Sequence, residues 1–478
     1  MAKVSAFVSQ TDRYHAVQRV LAAVGQAHVL TFFDRIDQAG RDRFLSQIEA
    51  IDWPEVASLV KTHVQKRPRF VMPKRPKPAP WYPHRPEDPN RYAQARSIGN
   101  DLICQGKVAA FTVAGGQGTR LGWDGPKGTF PATPVRALSL FGCFAEYICN
   151  VQERFGCVIP WYVMTSPVNA ADTREFFEQQ NYFGLDAKHV KLFPQAMMPA
   201  IDLATGWALL EAPDSLALSP NGHGGSLKAL HTSGALADMR RRGIEQISFI
   251  QVDNPIVRVI DPLFLGLHAL DGAQMSSKML CKREPLEKLG NFCLIDGKMT
   301  VIEYSDLPDA MAHETGPDGS LRFGAGSIAI HTICVDFVES LNTAASGFAL
   351  PFHRAEKKVD HIDLETGVSV IPTTSNAVKL ETFVFDALPL CDRSIVYETD
   401  RADEFAPIKN AAGEGVLDSP NTSKLIQVER ARRWLRKKGV EVAEDATVEI
   451  SQRTAICPAD LDGIYLPQRI GAGESVVL

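Results

Sequence analysis

Between residues 105 and 255 the chain alternates short apolar runs with amphipathic stretches. The segments 107–114, 160–166, 189–195 and 246–254 are almost continuously apolar and short, the signature of strands buried on both faces. Between them, 139–155, 169–181 and 226–242 carry apolar residues at three-to-four spacing, which predicts helices. Buried strands separated by helices imply an α/β fold: a central, mostly parallel sheet with helices on both faces. Ligands in such sheets sit beyond the carboxyl ends of the strands, where residues 115–128 and Asp253 fall.

The flanks read differently. Residues 1 to 65 show helical spacing (Val17, Val20, Leu21, Val24, then Phe44, Leu45, Ile48, Ile51). Lys66 to Arg91 is proline-rich and basic, which predicts an extended, solvated connector. The text from 274 to 335 reads as short strands joined by Gly and Asp turns, a β-rich insertion beside the sheet that would shape a second substrate's pocket. One basic amphipathic helix, 424–438, and the alternating stretch 440–451 suggest a small C-terminal domain. The expected partition is 1–104 for the helical segment and connector, 105–410 for the nucleotide domain, and 411–478 for the C-terminal domain.

Composition narrows the function classes. The 478 residues carry a net charge of −5, so neither a polyanion-binding surface nor a nucleic-acid partner is expected, while a local phosphate site stays open. No apolar run reaches the length of a membrane span and no secretory leader is evident, so the chain is expected in the cytoplasm. Its nine cysteines are scattered without CxxC pairs, which reads as reduced core thiols.

The densest chemistry lies in 107–130, where a buried strand runs into Gly115, Gly116 and Gly118 and then meets Arg120 and Lys127. Glycines permit positive φ and close approach of amides to phosphate oxygens, and two cations offset charge that amides alone cannot. That combination suits a triphosphate. Gly118 is followed by Thr119, Arg120 and Leu121, so the third glycine of a dinucleotide fingerprint is missing, which argues against a nicotinamide-dependent oxidoreductase. Lys127 precedes Gly128 rather than Ser or Thr, which excludes a P-loop. A purely structural turn, with Arg120 in an ion pair, is the plain alternative. Asp253 ends its strand where a carboxylate can hold Mg²⁺ against phosphates; a cap or turn former is the alternative there.

Ten motifs then occur in order over residues 105 to about 420: 115–122 with 126–128, 161–166, 175–185, 193–200, 221–225, 252–254, 301–306, 323–329, 378–386 and 403–410. Together they resemble the eukaryotic-type UDP-sugar pyrophosphorylases, most closely the UDP-N-acetylglucosamine pyrophosphorylase branch. The resemblance implies a Rossmann-like nucleotide-diphospho-sugar transferase fold and a uridylyltransferase that makes UDP-sugar and pyrophosphate from UTP and a sugar 1-phosphate. It also implies site roles. Arg120 and Lys127 would grip the β- and γ-phosphates, with Gly115 and Gly116 near uracil or ribose. Asp253 would hold Mg²⁺, and Asn254 beside it would bind substrate; Lys379 and Lys409 would reach the incoming phosphate and the α-phosphate. Gln195 and the turn containing Gly222 and His223 would read the nucleoside, and Glu303 would accept hydrogen bonds from sugar hydroxyls.

Two positions depart from the N-acetylglucosamine branch. His223 stands where that branch carries Asn, and Gly324-Ala325-Gly326-Ser327 replaces its NAGN, removing amide contacts whose loss costs about 1–3 kcal/mol if a buried partner is left unpaired. His223 is then either a neutral donor to the sugar phosphate or a histidine satisfied within its turn. N-acetylglucosamine 1-phosphate is the expected sugar, with a glucose-specific or broad UDP-sugar enzyme as the alternative. A non-catalytic UDP-sugar sensor is the rival from another class; it would need neither metal ligand nor lysines. A monomer or weak homo-oligomer is expected.

Overall fold

The computed structural model describes residues 9–67, 72, 76–344 and 347–478. It divides into two compact units, which take their described residues from Met1–Val71, Gln195–Gly225 and Leu350–Val384, and from Met72–Pro194, Ser226–Ala349 and Phe385–Leu478. These cuts differ from the boundaries at 104 and 410. The N-terminal helices Gln10–Ala23, Gln38–Glu49 and Trp53–Leu59 cannot bury their apolar faces alone. Leu21, Phe44, Leu45, Ile48 and Val56 share one core with Ile201, Leu210, Leu216, Val378 and Leu380, drawn from segments far along the chain.

The larger unit is built on a ten-stranded sheet whose main path runs Lys77–Pro78, Gly290–Ile295, Ala325–Cys334, Gln246–Gln251, Val108–Val113, Trp161–Thr165, Val190–Pro194. The last four of these strands are mutually parallel, as their apolar runs predict. Trp161, Val163 and Ile250 are fully buried among residues of the helix Leu140–Phe155, such as Phe141 and Phe144. Burying each such side chain stabilises the fold by about 1.5–3 kcal/mol. Ser139 caps this helix by accepting the Gly142 amide, and Gly156 ends it at φ 63.

Three expectations are corrected. The strands of 274–335 do not form an insertion beside the sheet. Ala325–Cys334 pairs antiparallel with Gln246–Gln251, and Met275–Cys281 and Gly290–Ile295 pair with it in turn, so they extend the sheet itself. The helix expected over 226–242 is two, Gly225–Thr232 and Ala235–Arg241, because Gly234 adopts φ 71 between them. The basic connector is not wholly a solvated linker. Residues 68–71 and 73–75 lie outside the described part, but Lys77–Pro78 pairs with Leu294 and Cys293 at the sheet edge, and a helix already begins at Pro89.

The C-terminal segment falls within the larger unit while keeping its own apolar cluster around Trp434, Leu435, Val448 and Ile470. Its helix Pro420–Lys437 ties back through Gln427, which donates to the Ala132 carbonyl at 2.9 Å. All nine cysteines are free thiols. Among the described residues no helix is long and apolar enough to cross a membrane.

Candidate functional site

The parallel register decides what meets what. Val113 and Gln251 are partners on neighbouring parallel strands, so the chain leaves the sheet side by side at both points. Asp253 therefore emerges next to the glycine loop, and the Val252 amide donates to the Val113 carbonyl. The loop then folds back on itself: the Gly118 amide donates to Gly125 and the Lys127 amide to Gly116, returning Lys127 to the strand end. The positive φ values fall at Gly122 (68) and Gly125 (128), while Gly118 sits at −80; the expectation that Gly115, Gly116 and Gly118 supply that conformation is corrected. Gly116 instead leaves open space where a Cβ would point. Gly128 is required sterically, since a Cβ there would lie 2.1 Å from the Phe141 ring.

Lys127 Nζ lies 3.8 Å from Asp253 Oδ2, both side chains largely buried. Burial, the largest cause, pushes the Lys127 ammonium below the ordinary lysine range; Asp253 opposes this, while Lys409 and Arg120 push it lower still. Three other expected charged groups, Asp253, Lys409 and Arg120, thus act on the Lys127 ammonium. Arg120 itself is exposed in the turn Thr119–Leu121. Lys409 is brought in by the segment 403–410: the Ile408 amide donates to the Asp253 carbonyl at 2.8 Å, and the Lys409 and Asn410 amides both donate to the Asp418 carbonyl. Its ammonium stands 5.8 Å from the centre of the Phe405 ring.

Beside this group lies a cavity of about 110 Å³ lined by Asp253, Asn254, Glu303, Ser327 and Lys409. Five expected residues from four separate motifs line it together. Ala329 also lines it, at φ 54, a conformation unusual for alanine and located where the pairing of Met275–Cys281 with Ala325–Cys334 shifts register. A larger cavity of about 530 Å³ adjoins through Leu289 and Phe405. It contains none of the expected site residues, so volume alone does not locate the chemistry.

The other expected residues, Gln195, Gly222, His223 and Lys379, belong to the smaller unit. There the turn 221–225 docks on the backbone that follows Lys379: the Thr382 amide donates to Asn221 and the Gly224 amide to Thr382, both at 2.8 Å. Gly222 has φ 82, and a Cβ on it would meet the Thr382 carbonyl oxygen at 2.3 Å. His223 Nδ1 accepts the Val384 amide at 3.1 Å and its ring lies along Phe383. Burial pushes its pKa down to about 4, with His353 adding to the effect. The ring is neutral at pH 7, with its proton on Nε2.

One residue of the site carries no sequence signature of its role. Asn169, fully buried, donates from Nδ2 to the Ala114 carbonyl at 3.0 Å and to Gly116 at 3.3 Å, clamping the glycine loop from below. Asn254, expected to touch substrate, also commits its amide to the protein: Nδ2 donates to the Glu404 carbonyl at 2.7 Å and Oδ1 accepts the Ala406 amide at 3.1 Å. A polar residue shortly after the end of a parallel strand is the signal that both share, and it does not distinguish clamp from ligand contact.

A family model described as UTP--glucose-1-phosphate uridylyltransferase matches residues 51–441. A UDP-N-acetylhexosamine pyrophosphorylase-like protein 1 of Xenopus tropicalis is 35% identical over 88% of this chain and 84% of its own length. The UDP-N-acetylglucosamine pyrophosphorylase of Saccharomyces cerevisiae is also 35% identical, over 76% of this chain and 77% of that protein. Among solved structures, the uridine diphosphate N-acetylglucosamine pyrophosphorylase of Trypanosoma brucei superposes with a TM-score of 0.82 at 25% identity, over 96% of this chain and 95% of that one. Likeness of this extent reaches well beyond the glycine loop and the strand ends, and it places the chain in the UDP-sugar pyrophosphorylase family, an enzyme of the UTP:sugar-1-phosphate uridylyltransferase class.

Proposed function

We propose that this enzyme makes UDP-N-acetylglucosamine and pyrophosphate from UTP and N-acetylglucosamine 1-phosphate, working in the cytoplasm as a monomer or weak homo-oligomer. The observation that carries the site is the approach of Lys127 to Asp253, with Arg120 and Lys409 acting on the same ammonium. Both reactants are anionic, so their encounter needs concentrated positive charge around a fixed geometry and no nucleophilic side chain. Arg120 and Lys127 are assigned to the departing β- and γ-phosphates. Lys409 is assigned to the α-phosphate, where charge builds as the sugar phosphate oxygen attacks in line, and Lys379 to the incoming phosphate. Gly115 and Gly116, Gln195 and the turn at Gly222 are assigned to the nucleoside; Glu303 and Ser327 are assigned to the sugar. His223, neutral with its proton on Nε2, suits a donor role toward the sugar phosphate.

Mg²⁺ is proposed as the cofactor. Among the described residues no three His, Cys, Asp or Glu side chains converge to cage a metal. That fits Mg²⁺ held jointly by a carboxylate, water and substrate phosphates, the arrangement this ion prefers, and Asp253 is the carboxylate placed for it. When bound, the ion neutralises phosphate charge and fixes phosphate orientation.

The sugar assignment is supported by relatives 31–35% identical over most of the chain whose names specify N-acetylglucosamine or N-acetylhexosamine. A glucose-specific enzyme is not favoured, although the family description names glucose 1-phosphate. Pyrophosphate release from UTP, measured against a panel of sugar 1-phosphates with and without chelator, tests the whole reading. N-acetylglucosamine 1-phosphate should give the highest kcat/KM, and chelation should stop the reaction. A higher kcat/KM with glucose 1-phosphate would overturn the sugar, and undiminished turnover in chelator would overturn the metal.

A further inference from the structure

The segments that carry Asp253 and Lys409 are also tied together by a buried set of charges that the reaction as written does not use. Lys278, within the strand Met275–Cys281, is fully buried, and its ammonium donates to Asp261 Oδ2 at 2.8 Å and to the two oxygens of Glu404 at 2.6 and 2.9 Å. Three contacts use all three N–H bonds of the ammonium. Its partners are engaged elsewhere too. Asp261 Oδ1 caps the helix Pro262–Leu270 by accepting the Leu263 amide, and Arg258 stands 3.8 Å from Oδ2. Glu404 accepts the Arg258 amide at 3.2 Å and the Thr399 hydroxyl.

The consequence is topological. Asp261 ends the segment that starts at Asp253, and Glu404 starts the segment that leads to Lys409, so a single ammonium joins the far ends of the two segments that carry the phosphate-facing charges. The near ends are joined by Asn254, which holds both the Glu404 carbonyl and the Ala406 amide, and by the Ile408 amide on the Asp253 carbonyl.

Stability is a poor reason for such a network, since a buried ion pair usually contributes no more than well-packed apolar residues of the same volume. What it does fix is distance and direction. We infer that Lys278, through Glu404 and Asp261, is a positioning residue that sets the separation of Asp253 and Lys409 so that both address the same phosphates. The inference rests on the roles proposed above for those two residues. Its leverage is large, because a misplacement of about 1 Å in a reacting geometry can cost on the order of a hundredfold in rate.

Removing Lys278 alone would strand two carboxylates against one guanidinium, so the test uses Lys278→Met/Glu404→Gln. There Asp261 keeps Arg258, and the glutamine can still accept from Arg258 and Thr399. Thr399→Val, which deletes one hydroxyl contact, is the milder companion should the double variant fail to fold. Each is measured in the full chain for melting temperature, kcat and KM for UTP, and again in a Lys409→Ala background.

In the double variant kcat should fall about ten- to a hundredfold while KM for UTP stays within about threefold. Thr399→Val should lower kcat by about fivefold, the worth of one hydrogen bond. In the Lys409→Ala background the same changes should alter the residual rate by less than about twofold, because the group they position is gone. Folded variants with parental kcat, or equal losses in both backgrounds, would overturn the inference and leave the site intact. If Lys409→Ala itself keeps the parental rate, the proposed site falls, and the inference with it.

Discussion

Replacing Lys127 with methionine removes one positive charge beside the glycine loop while keeping an unbranched apolar stem of similar length. The ammonium stands 3.8 Å from Asp253 and its side chain is 17% exposed, so the charge acts in a partly desolvated place. Two unit charges about 4 Å apart at an effective dielectric constant of 20 interact by about 4 kcal/mol. A phosphate oxygen gripped by Lys127 would feel an attraction of that order, and removing one preorganised donor from a reacting oxyanion costs about 3–4 kcal/mol in comparable sites. The expected loss in kcat/KM for UTP is thus about a hundred- to a thousandfold. Folding should be little affected: the ammonium is buried against its preference, which offsets the Asp253 contact that is lost. A net change near 1 kcal/mol would move Tm by about 2–4 °C. Pyrophosphate release with UTP varied at saturating sugar phosphate gives the first number, and calorimetry with UDP-sugar gives the control. If UDP-sugar affinity and Tm collapse in step with kcat/KM, Lys127 is a packing residue and the charge argument fails.

Three further outcomes follow from the same geometry. Asn169→Ala should raise KM for UTP about tenfold, since the Ala114 and Gly116 carbonyls lose their shared donor; unchanged steady-state kinetics would show that the loop holds its shape unaided. Gly128→Ala should cost about 1–3 kcal/mol of stability in thermal unfolding through overlap with Phe141, and Phe141→Leu in the same chain should recover part of it. Because Lys127 must be protonated to hold phosphate and its pKa is lowered, kcat/KM for UTP should decline with rising pH before the ordinary lysine value of 10.5 is reached. Lys127→Met should lack that alkaline limb.

Much of the site was legible because its chemistry is local. The order strand, glycine turn, Arg120, Lys127 is contiguous in the chain, and Asp253 closes an apolar run whose period announces a buried strand. Residues 301–306, 323–329 and 403–410 were found by resemblance rather than by periodicity, and the structure lines Glu303, Ser327 and Lys409 around one cavity with Asp253. Asn169 and Lys278 were not found, because nothing in the neighbouring sequence says which carbonyl, 55 positions away for Asn169, or which carboxylate, 126 positions away for Lys278, each will meet.

The sequence by itself determined the α/β class, the parallel strands at 108–113, 161–165, 190–194 and 246–251, and the glycine loop at their carboxyl end, because period and composition act over a few residues. Only the tertiary structure decided that 275–334 extends the sheet, that the N-terminal helices share a core with residues near 210 and 380, and that Asp253 faces Lys127. Each of these depends on strand register or on apolar faces finding partners far along the chain. Such pairings are selected by the packing of the whole fold, which no local pattern encodes.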